Sequence, residues 1–311
     1  FDQTSNTGTE NYQWSCAKTV NHTDIEAPVS EALSPEIGID DEGNVLTVWL
    51  EVVEGVKILK SNYLGINDTE WPEPLSLNLA LGGDAKQPTL SYSSDGVAMV
   101  VWSQQESGVF EIYARRFTGG VWGEPKKLSI LNSNTGISSG ASNPKISLGE
   151  NNDAFAIWQQ HDGTRENIWL NRFSGGVWGE AFRFETDNIG DALDPFVVFG
   201  PKNEAFATWV QTWMKNGQPQ HALKVRHLAV DADWSESEEI AVGTLISKPK
   251  ISFDFEGNAV AVWVSDGNIM KARYSNLRSS WVVKSEGFRP DNRTQEAQLV
   301  PILEGGRFIS V

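Results

Sequence analysis

A regular spacing between proline and tryptophan constrains the fold of this chain more than any other feature of its sequence. Five times, a tryptophan follows a proline by 14 residues: Pro35 and Trp49, Pro88 and Trp102, Pro144 and Trp158, Pro195 and Trp209, and Pro249 and Trp263. These tryptophans lie 53, 56, 51 and 54 residues apart. Self-similarity with a period of this length indicates a fold assembled from repeated supersecondary units.

Each copy contains about four strand-length segments, rich in β-branched and aromatic residues and separated by turn-forming residues. In the fifth copy we expect strands near residues 250–253, 259–264, 268–274 and 281–284. The dipeptide Asp266–Gly267 between two of these segments predicts a two-residue hairpin. That hairpin would pair Trp263 with Met270 and Val260 with Arg273.

A sixth copy is divided between the two ends of the chain. When Leu299 is aligned with Ile251, Val311 falls on Trp263, so this copy stops after two strands. Near the other end, Trp14 has the spacing to the next copy that is expected of a fourth strand. We therefore expect the segment around Trp14 to complete the last repeat.

These observations predict an all-β fold, a six-bladed β-propeller of four-stranded blades, with the N-terminal strand completing the C-terminal blade and closing the ring. We expect one domain over residues 1–311, with repeats near 33–84, 85–140, 141–191, 192–245, 246–294 and 295–311, the last completed by about 10–20. The first strand of each blade should be innermost, with proline at its start. A small residue follows in the crowded centre: Gly38, Ser91, Ser147 and Ser252.

The run from Gly257 to Tyr274, followed by Trp281, resembles the repeats of bacterial secreted or lipoprotein β-propellers of unassigned function. Its order of strand, Asp-Gly hairpin, strand and tryptophan is also similar to the blades of fucose-binding propeller lectins. The first resemblance covers about residues 33–311. It implies an extracytoplasmic protein, whether periplasmic, secreted or surface-anchored, whose targeting segment is absent from this sequence. The Asp-box of sialidases is absent, because the nearest stretch, residues 93–96, has a different spacing.

Charge and cysteine content exclude several classes of function. The net charge is −16 and the isoelectric point is about 4.7, so nucleic acids and anionic membrane surfaces would be repelled. No apolar run reaches the roughly 18 residues of a membrane span. The single cysteine, Cys16, cannot form an intramolecular disulfide or a zinc site based on several cysteines, and a small buried side chain is expected there. We expect a monomer.

A polar residue follows each of four repeated tryptophans by two positions and forms the main candidate set for ligand binding: Trp49 and Glu51, Trp102 and Gln104, Trp158 and Gln160, and Trp209 and Gln211. Residues two apart in a strand lie on one face. An indole can cover the apolar face of a sugar while a neighbouring amide binds its hydroxyls. The alternative is that these tryptophans fill the gaps between blades.

Three further features admit both a functional and a structural interpretation. Trp213 is expected on a long loop, either as a ligand contact or folded over a blade edge. In three copies an arginine precedes the aromatic residue of the third strand, and the other two copies have Asn62 and His227 at this position. We expect the arginines to form ion pairs between blades: Arg116, Arg172 and Arg273. The acidic turns at 40–44 and 254–258 could offer oxygens to Ca²⁺, but they lack EF-hand spacing and are expected to be ordinary turns. No other cofactor is expected.

The leading functional hypothesis is a non-catalytic extracytoplasmic binding protein for a glycan or a cell-surface polymer. The alternative is a scaffold for protein–protein interaction. A third hypothesis is a glycoside hydrolase with two carboxylates in the central channel. No nucleophile elbow, phosphate loop or metal motif occurs, so no catalytic residue is assigned and binding is favoured over catalysis.

Overall fold

The computed structural model describes residues 31–79, 83–130, 140–187, 189–288, 299–301 and 308–310. Strands dominate these residues and form five antiparallel sheets of four or five strands, one for each complete repeat, together with a two-stranded hairpin. The expected all-β class is confirmed. Within the described residues, no helix is long and apolar enough to cross a bilayer.

The strands follow one another within each sheet in chain order. The first sheet holds β1 (Ala32–Ile39), β2 (Val45–Val53), β3 (Val56–Leu64) and β4 (Leu75–Ser76). The second holds β5 (Ala85–Tyr92), β6 (Ala98–Glu106), β7 (Val109–Thr118), β8 (Val121–Trp122) and β9 (Lys126–Lys127). The third holds β10 (Ala141–Leu148), β11 (Ala154–His161), β12 (Glu166–Ser174), β13 (Val177–Trp178) and β14 (Phe182–Arg183). In the second and third sheets, the last two short strands pair with the same third strand.

The remaining strands continue this arrangement. The fourth sheet holds β15 (Ala192–Phe199), β16 (Ala205–Lys215), β17 (Gln218–Leu228) and β18 (Glu238–Gly243). The fifth holds β19 (Ile246–Phe253), β20 (Ala259–Ser265), β21 (Asn268–Ser275) and β22 (Ser280–Phe288). The hairpin is β23 (Leu299–Pro301) and β24 (Phe308–Ser310), and three single 3₁₀ turns lie at Glu150–Asn152, Pro201–Asn203 and Asn276–Arg278.

The first strands of successive sheets are neighbours, because β1 contacts β5, β5 contacts β10, β10 contacts β15, β15 contacts β19, and β19 contacts β23. This succession is expected of blades that stack around a common centre.

Side chains at the first strands are crowded as predicted. Any side chain at Gly38 would overlap the Tyr92 ring, and the Ser147 hydroxyl accepts a hydrogen bond from the Phe199 N–H at 3.0 Å. The segment around Trp14, on which ring closure depends, lies outside the described residues.

The proline of each repeat does not begin the first strand, as the sequence had led us to expect. It lies three residues inside, at a β-bulge where the pairing register shifts, for example between Leu33 and Glu36. The bulge removes proline from the hydrogen-bonding pattern of the strand, which explains why it is tolerated there. The preceding residue is left-handed in all five sheets, with φ between 50° and 52°: Ser34, Gln87, Asn143, Asp194 and Lys248.

Each sheet has two ends that differ in the connections between its strands. The turns between first and second strands form one edge, here called the turn edge. They touch from sheet to sheet, as where the Asp41 N–H donates to the Ser94 carbonyl at 3.1 Å. The hairpins between second and third strands form the opposite hairpin edge. In the fifth sheet this hairpin pairs Trp263 with Met270 and Val260 with Arg273, as predicted.

Candidate functional site

The repeated tryptophan pairs lie in the interior. The indoles of Trp102, Trp158 and Trp209 have 0% exposure, and Trp49 has 5%. In the last three copies the indole N–H donates to the oxygen of the glutamine two residues later, at 3.1 to 3.3 Å. The glutamine amides in turn donate to backbone carbonyls, those of Gly83, Ile130 and Gly190. Because these indoles present no ring face to solvent, the packing interpretation accounts for them, and ligand contact would require them to leave the interior.

The first copy follows the same pattern with an acid in place of the amide. The Trp49 indole N–H donates to the Glu51 carboxylate at 3.4 Å, and Glu51 is half-buried at the hairpin edge. Glu51 keeps part of its surface in contact with solvent, which explains why a charged residue is tolerated here, whereas the glutamines of the other three copies are buried.

Trp213 does not lie on a loop. It belongs to β16 and is paired with Gln220 of β17, since both strands continue to a tight turn at Asn216 and Gly217. Those two residues have φ of 53° and 77°, the left-handed conformation that a two-residue hairpin needs. Trp213 is half-buried, and its role as a ligand contact stays a prediction.

The cations of the third strands differ from the expected ion pairs between sheets. Arg172 pairs at 2.6 Å with Asp153, which belongs to its own sheet. Arg116 instead lies 5.9 Å from the ring of Phe173 in the next sheet. In the first sheet the register places Tyr63, not Asn62, at this position, because Leu46 is paired with Tyr63 as Met99 is with Arg116.

The acidic turns satisfy their own carboxylates. Asp40 accepts hydrogen bonds from the backbone of Glu42 and Asn44, from the Asn44 amide and from the Tyr92 hydroxyl. Burial by itself would raise the pKa of Asp40, but these hydrogen bonds outweigh it and lower that pKa. Among the described residues no group of three His, Cys, Asp or Glu side chains could hold a metal ion.

A pocket of about 590 Å³ opens between the fourth and fifth sheets at the turn edge. We call it the turn-edge pocket and define it by six lining residues: Glu204, Phe206, His227, Phe255, Tyr274 and Trp281. Phe206 and His227 come from paired positions of β16 and β17, whereas Tyr274 and Trp281 are paired between β21 and β22. Its size lies within the range typical of sites for small ligands.

Three polar side chains form a hydrogen-bonded series in this pocket. The Nε2 atom of His227 lies 3.3 Å from a carboxylate oxygen of Glu204, and its Nδ1 atom lies 3.5 Å from the Tyr274 hydroxyl. Glu204 is 7% exposed and Tyr274 is 4% exposed. The imidazole stacks on the Phe206 ring with centroids 4.4 Å apart, which fixes its plane. The arrangement can therefore offer a carboxylate, an imidazole and a phenol in one fixed geometry.

Local sequence explains how Glu204 reaches this position. It ends the turn that follows β15 and directly precedes β16. The facing turn of the fifth sheet has Gly257 at φ 79°, where an added Cβ would lie 2.6 Å from the Glu204 carboxylate. Glycine at this position thus serves both the left-handed turn and the close approach of the two sheets.

The electrostatics of the pocket favour a neutral or cationic ligand. Burial raises the pKa of Tyr274, and the nearby charges of Glu204 and Glu238 raise it further, so the phenol stays protonated at neutral pH. Glu238 and Glu256 also line the pocket, whereas Lys202 is the only lysine or arginine among the described residues of its lining. An anionic group would be repelled by this excess of carboxylates.

The third sheet has different residues at the positions of the polar series. The fold of a repeat therefore does not depend on Glu204, on His227 or on the hydroxyl of Tyr274. There Asp153 and Arg172 occupy the places of Glu204 and His227. The hydroxyl of Tyr274 is likewise an addition, since Phe173 is its counterpart. The sequence pattern predicted His227 only as one of the third-strand residues in ion pairs, and it did not indicate Glu204 or Tyr274. Their signal was the departure from the pattern of the other copies.

The fold is all-β and propeller-like, and comparisons with known proteins agree with it. The chain is similar to a mutant of an α-L-arabinofuranosidase from Fusarium graminearum bound to an iminosugar inhibitor, with 13% identity and a TM-score of 0.56 over 88% of this chain and 86% of that one. A protein of unknown function from Dyadobacter fermentans matches at 14% identity and a TM-score of 0.54, over 82% and 83%.

The NanB sialidase from Streptococcus pneumoniae matches at 10% identity and a TM-score of 0.51, over 86% of this chain and 62% of that one. No family model matches this sequence, and no curated protein does. At these identities the likenesses bear on the fold alone, so the function has to be argued from the site.

Proposed function

We propose that this protein is a non-catalytic extracytoplasmic binding protein that takes a neutral glycan into the turn-edge pocket. The observation that carries the proposal is the combination of aromatic surface with the fixed series Glu204, His227 and Tyr274 in one cavity. Sugars present apolar C–H faces and hydroxyl edges, and this pocket offers partners for both.

The aromatic part of the pocket includes surface that packing does not need. Phe255 is 67% exposed at the mouth, although it lies on a turn where a polar residue would be the norm. Trp281 is half-buried, with its ring 5.3 Å from that of Phe206. An exposed aromatic and a half-buried one in the lining of the same pocket offer ring faces on which a sugar can stack.

The scaffold that we propose is the six-bladed ring predicted from the repeats. It is supported by the five sheets in chain order and by the position of β23 next to β19, where a sixth first strand belongs. The expected extracytoplasmic location rests on the family resemblance.

A second candidate function is glycoside hydrolysis. It is favoured by one observation, the hydrogen-bonded series from Glu204 through His227 to Tyr274, which could position a carboxyl group for proton transfer. We rank it second because glycoside hydrolysis ordinarily uses two carboxyl groups, and this series contains only that of Glu204. A protein scaffold is the remaining alternative.

The test begins with a glycan array probed with the purified chain, followed by calorimetry on the best neutral oligosaccharide. We expect Phe255→Ala and His227→Ala each to weaken binding by about tenfold or more, equivalent to about 1.4 kcal/mol. The control is Phe182→Ala, because Phe182 is also an exposed phenylalanine, at 44%, but lies on β14 away from the pocket.

Two outcomes would contradict the proposal. Absence of binding to any neutral glycan at high protein concentration would shift the weight to a protein partner. Release of new reducing ends from the bound oligosaccharide, abolished by Glu204→Gln while binding persists, would establish the hydrolase instead.

A further inference from the structure

We propose a second binding site, at the hairpin edge, for an acidic saccharide. The site is a pocket of about 360 Å³ that gathers residues from the first three sheets. We call it the hairpin-edge pocket and define it by six of its lining residues: Leu33, Lys57, Lys86, Gln87, Ser103 and Phe110. It lies at the opposite end of the sheets from the turn-edge pocket and does not depend on the function proposed there.

An unpartnered hydroxyl marks this pocket as a ligand site. Ser103 on β6 is 1% exposed, and its Oγ atom has no hydrogen-bond partner in the described part of the chain. A buried polar group left unsatisfied costs about 1 to 3 kcal/mol, so such groups call for an explanation. A ligand hydroxyl or anionic oxygen in the pocket would supply the missing partner.

In the third sheet a longer side chain occupies the position that Ser103 holds in the second. Its counterpart in the third sheet is Gln159, which also directly follows the repeated tryptophan. The Gln159 oxygen accepts hydrogen bonds from the Asn143 amide and from the Asp194 N–H, both at 3.0 Å. The glutamine therefore fills in the third sheet the place that serine leaves open in the second.

Two ammonium groups make the pocket basic in a chain of net charge −16. Lys86 is paired with Ser103 across β5 and β6, and its Nζ atom lies 3.5 Å from the centre of the Phe110 ring. Lys57 lines the same pocket from the first sheet. Among the described residues, neither lysine forms an ion pair, although Asp84 accepts a hydrogen bond from the Lys57 backbone N–H.

The wall of the pocket is fixed in advance of binding. Gln87 is held at φ 50° by the bulge, and its side-chain oxygen accepts a hydrogen bond from the Asn143 N–H of the third sheet at 2.8 Å. Since this bulge recurs in every sheet, it does not itself indicate a ligand. It keeps the second and third sheets at a fixed separation around the space beside Ser103.

The chemistry of the lining specifies the class of ligand. The lysines require an anionic group, Ser103 requires a hydroxyl or oxyanion, and Leu33 with Phe110 offers apolar surface. A saccharide that bears a carboxylate or a sulfate combines these three features. Neutral sugars lack the anion, and inorganic anions lack the apolar surface.

The test is calorimetry of the full chain with glucuronate, glucose 6-sulfate, glucose and inorganic sulfate. We expect one or both acidic sugars to bind, with an affinity that falls as salt is added, and glucose to bind at least tenfold more weakly. The stronger of the two acidic sugars identifies carboxylate or sulfate as the recognised group. Equal binding of inorganic sulfate would overturn the assignment to a saccharide.

Variants separate this site from a diffuse charge effect. We expect Lys57→Gln and Lys86→Gln each to weaken binding by about tenfold, and Lys126→Gln, an exposed lysine on β9, to leave it unchanged. Ser103→Gln should fill the pocket as Gln159 does in the third sheet and abolish binding while circular dichroism and the midpoint of urea unfolding stay native. Unchanged affinity in the Lys86→Gln and Ser103→Gln variants would overturn the proposal.

Discussion

The side chain two residues after a repeated tryptophan stabilises the interior by satisfying two polar groups at once. In the third sheet the Gln160 oxygen accepts from the Trp158 indole at 3.1 Å, and its amide donates to the Ile130 carbonyl. Both partners are buried or half-buried, so each would be left without water if the glutamine were removed.

Replacing this glutamine by an apolar residue of similar size tests that role. We expect Gln160→Leu to lower the free energy of unfolding by about 1 to 3 kcal/mol, because the indole N–H is left unsatisfied. Urea unfolding followed by tryptophan fluorescence measures the change. Gln218→Leu, at the exposed first position of β17, serves as the control, and an equal loss in both variants would contradict this role of Gln160.

A different buried side chain couples stability to pH. Glu185 is 3% exposed and accepts a hydrogen bond from the Ile168 N–H at 2.8 Å. Ser129 accepts the equivalent bond in the second sheet and Asn78 in the first, so a carboxyl group is not needed for it. Burial raises the pKa of Glu185 from its ordinary 4.5 to about 7, although the hydrogen bond from Ile168 and the charge of Arg183 oppose this.

The sign of the pH effect follows from this raised pKa. Between pH 4.5 and 7 the native state binds more protons than the unfolded state, so stability falls as the pH rises through that window. We expect Glu185→Gln to have little effect at pH 4.5 and to stabilise the protein by about 3 kcal/mol at pH 8.5. Urea unfolding at both pH values measures the difference, and a gap that does not change with pH would contradict the prediction.

At the scale of the element, the recurrent bulge of the first strands combines backbone strain with hydrogen bonds between sheets. The residue before proline adopts a left-handed φ that costs a residue other than glycine about 1 to 2 kcal/mol. At Asp194 the cost is offset, because its carboxylate accepts a hydrogen bond from the Lys248 N–H of the next sheet at 3.0 Å. Ser34, in the first sheet, has the same φ and is exposed.

This difference predicts that replacement by glycine is tolerated at Ser34 but destabilises the protein at Asp194, although the two residues occupy equivalent bulges. We expect Ser34→Gly to change the free energy of unfolding by less than about 1 kcal/mol, since relief of strain balances the added freedom of the unfolded chain. Asp194→Gly should lose about 1 to 2 kcal/mol through the missing hydrogen bond. Urea unfolding of the two variants decides the point, and equal effects would show that the bond between sheets contributes nothing.

At the scale of the whole molecule, the predicted ring depends on the segment near residues 10–20, which lies outside the described residues. Five sheets and the hairpin of β23 and β24 account for the repeats that the structure describes. A sheet of two strands buries little apolar surface and is marginal by itself, so further strands would stabilise it.

Removal of the N-terminal segment tests ring closure. We expect deletion of residues 1–24 to lower the midpoint of thermal unfolding by several degrees, and deletion of residues 1–8 alone to leave it within about 1 °C. Trp14→Ala in the full chain should reproduce most of the larger loss. If the longer deletion is as stable as the full chain, the N-terminal strand does not complete the last blade.

The spacing and the turn residues of the sequence predicted a repeated all-β fold, about four strands in each complete repeat and the register of the fifth hairpin, and the five described sheets agree with these predictions. These follow from local physics, because alternation, turn residues and an Asp-Gly pair act on neighbours along the chain. The folded chain alone shows that the repeated tryptophans are buried, that Trp213 lies in a strand and that proline occupies a bulge. It also brought Glu204 within reach of Tyr274, 70 residues away, and left Ser103 unpartnered where Gln159 is satisfied. Burial and pockets arise where faces of different sheets meet, and this packing is not encoded in the spacing of any single repeat.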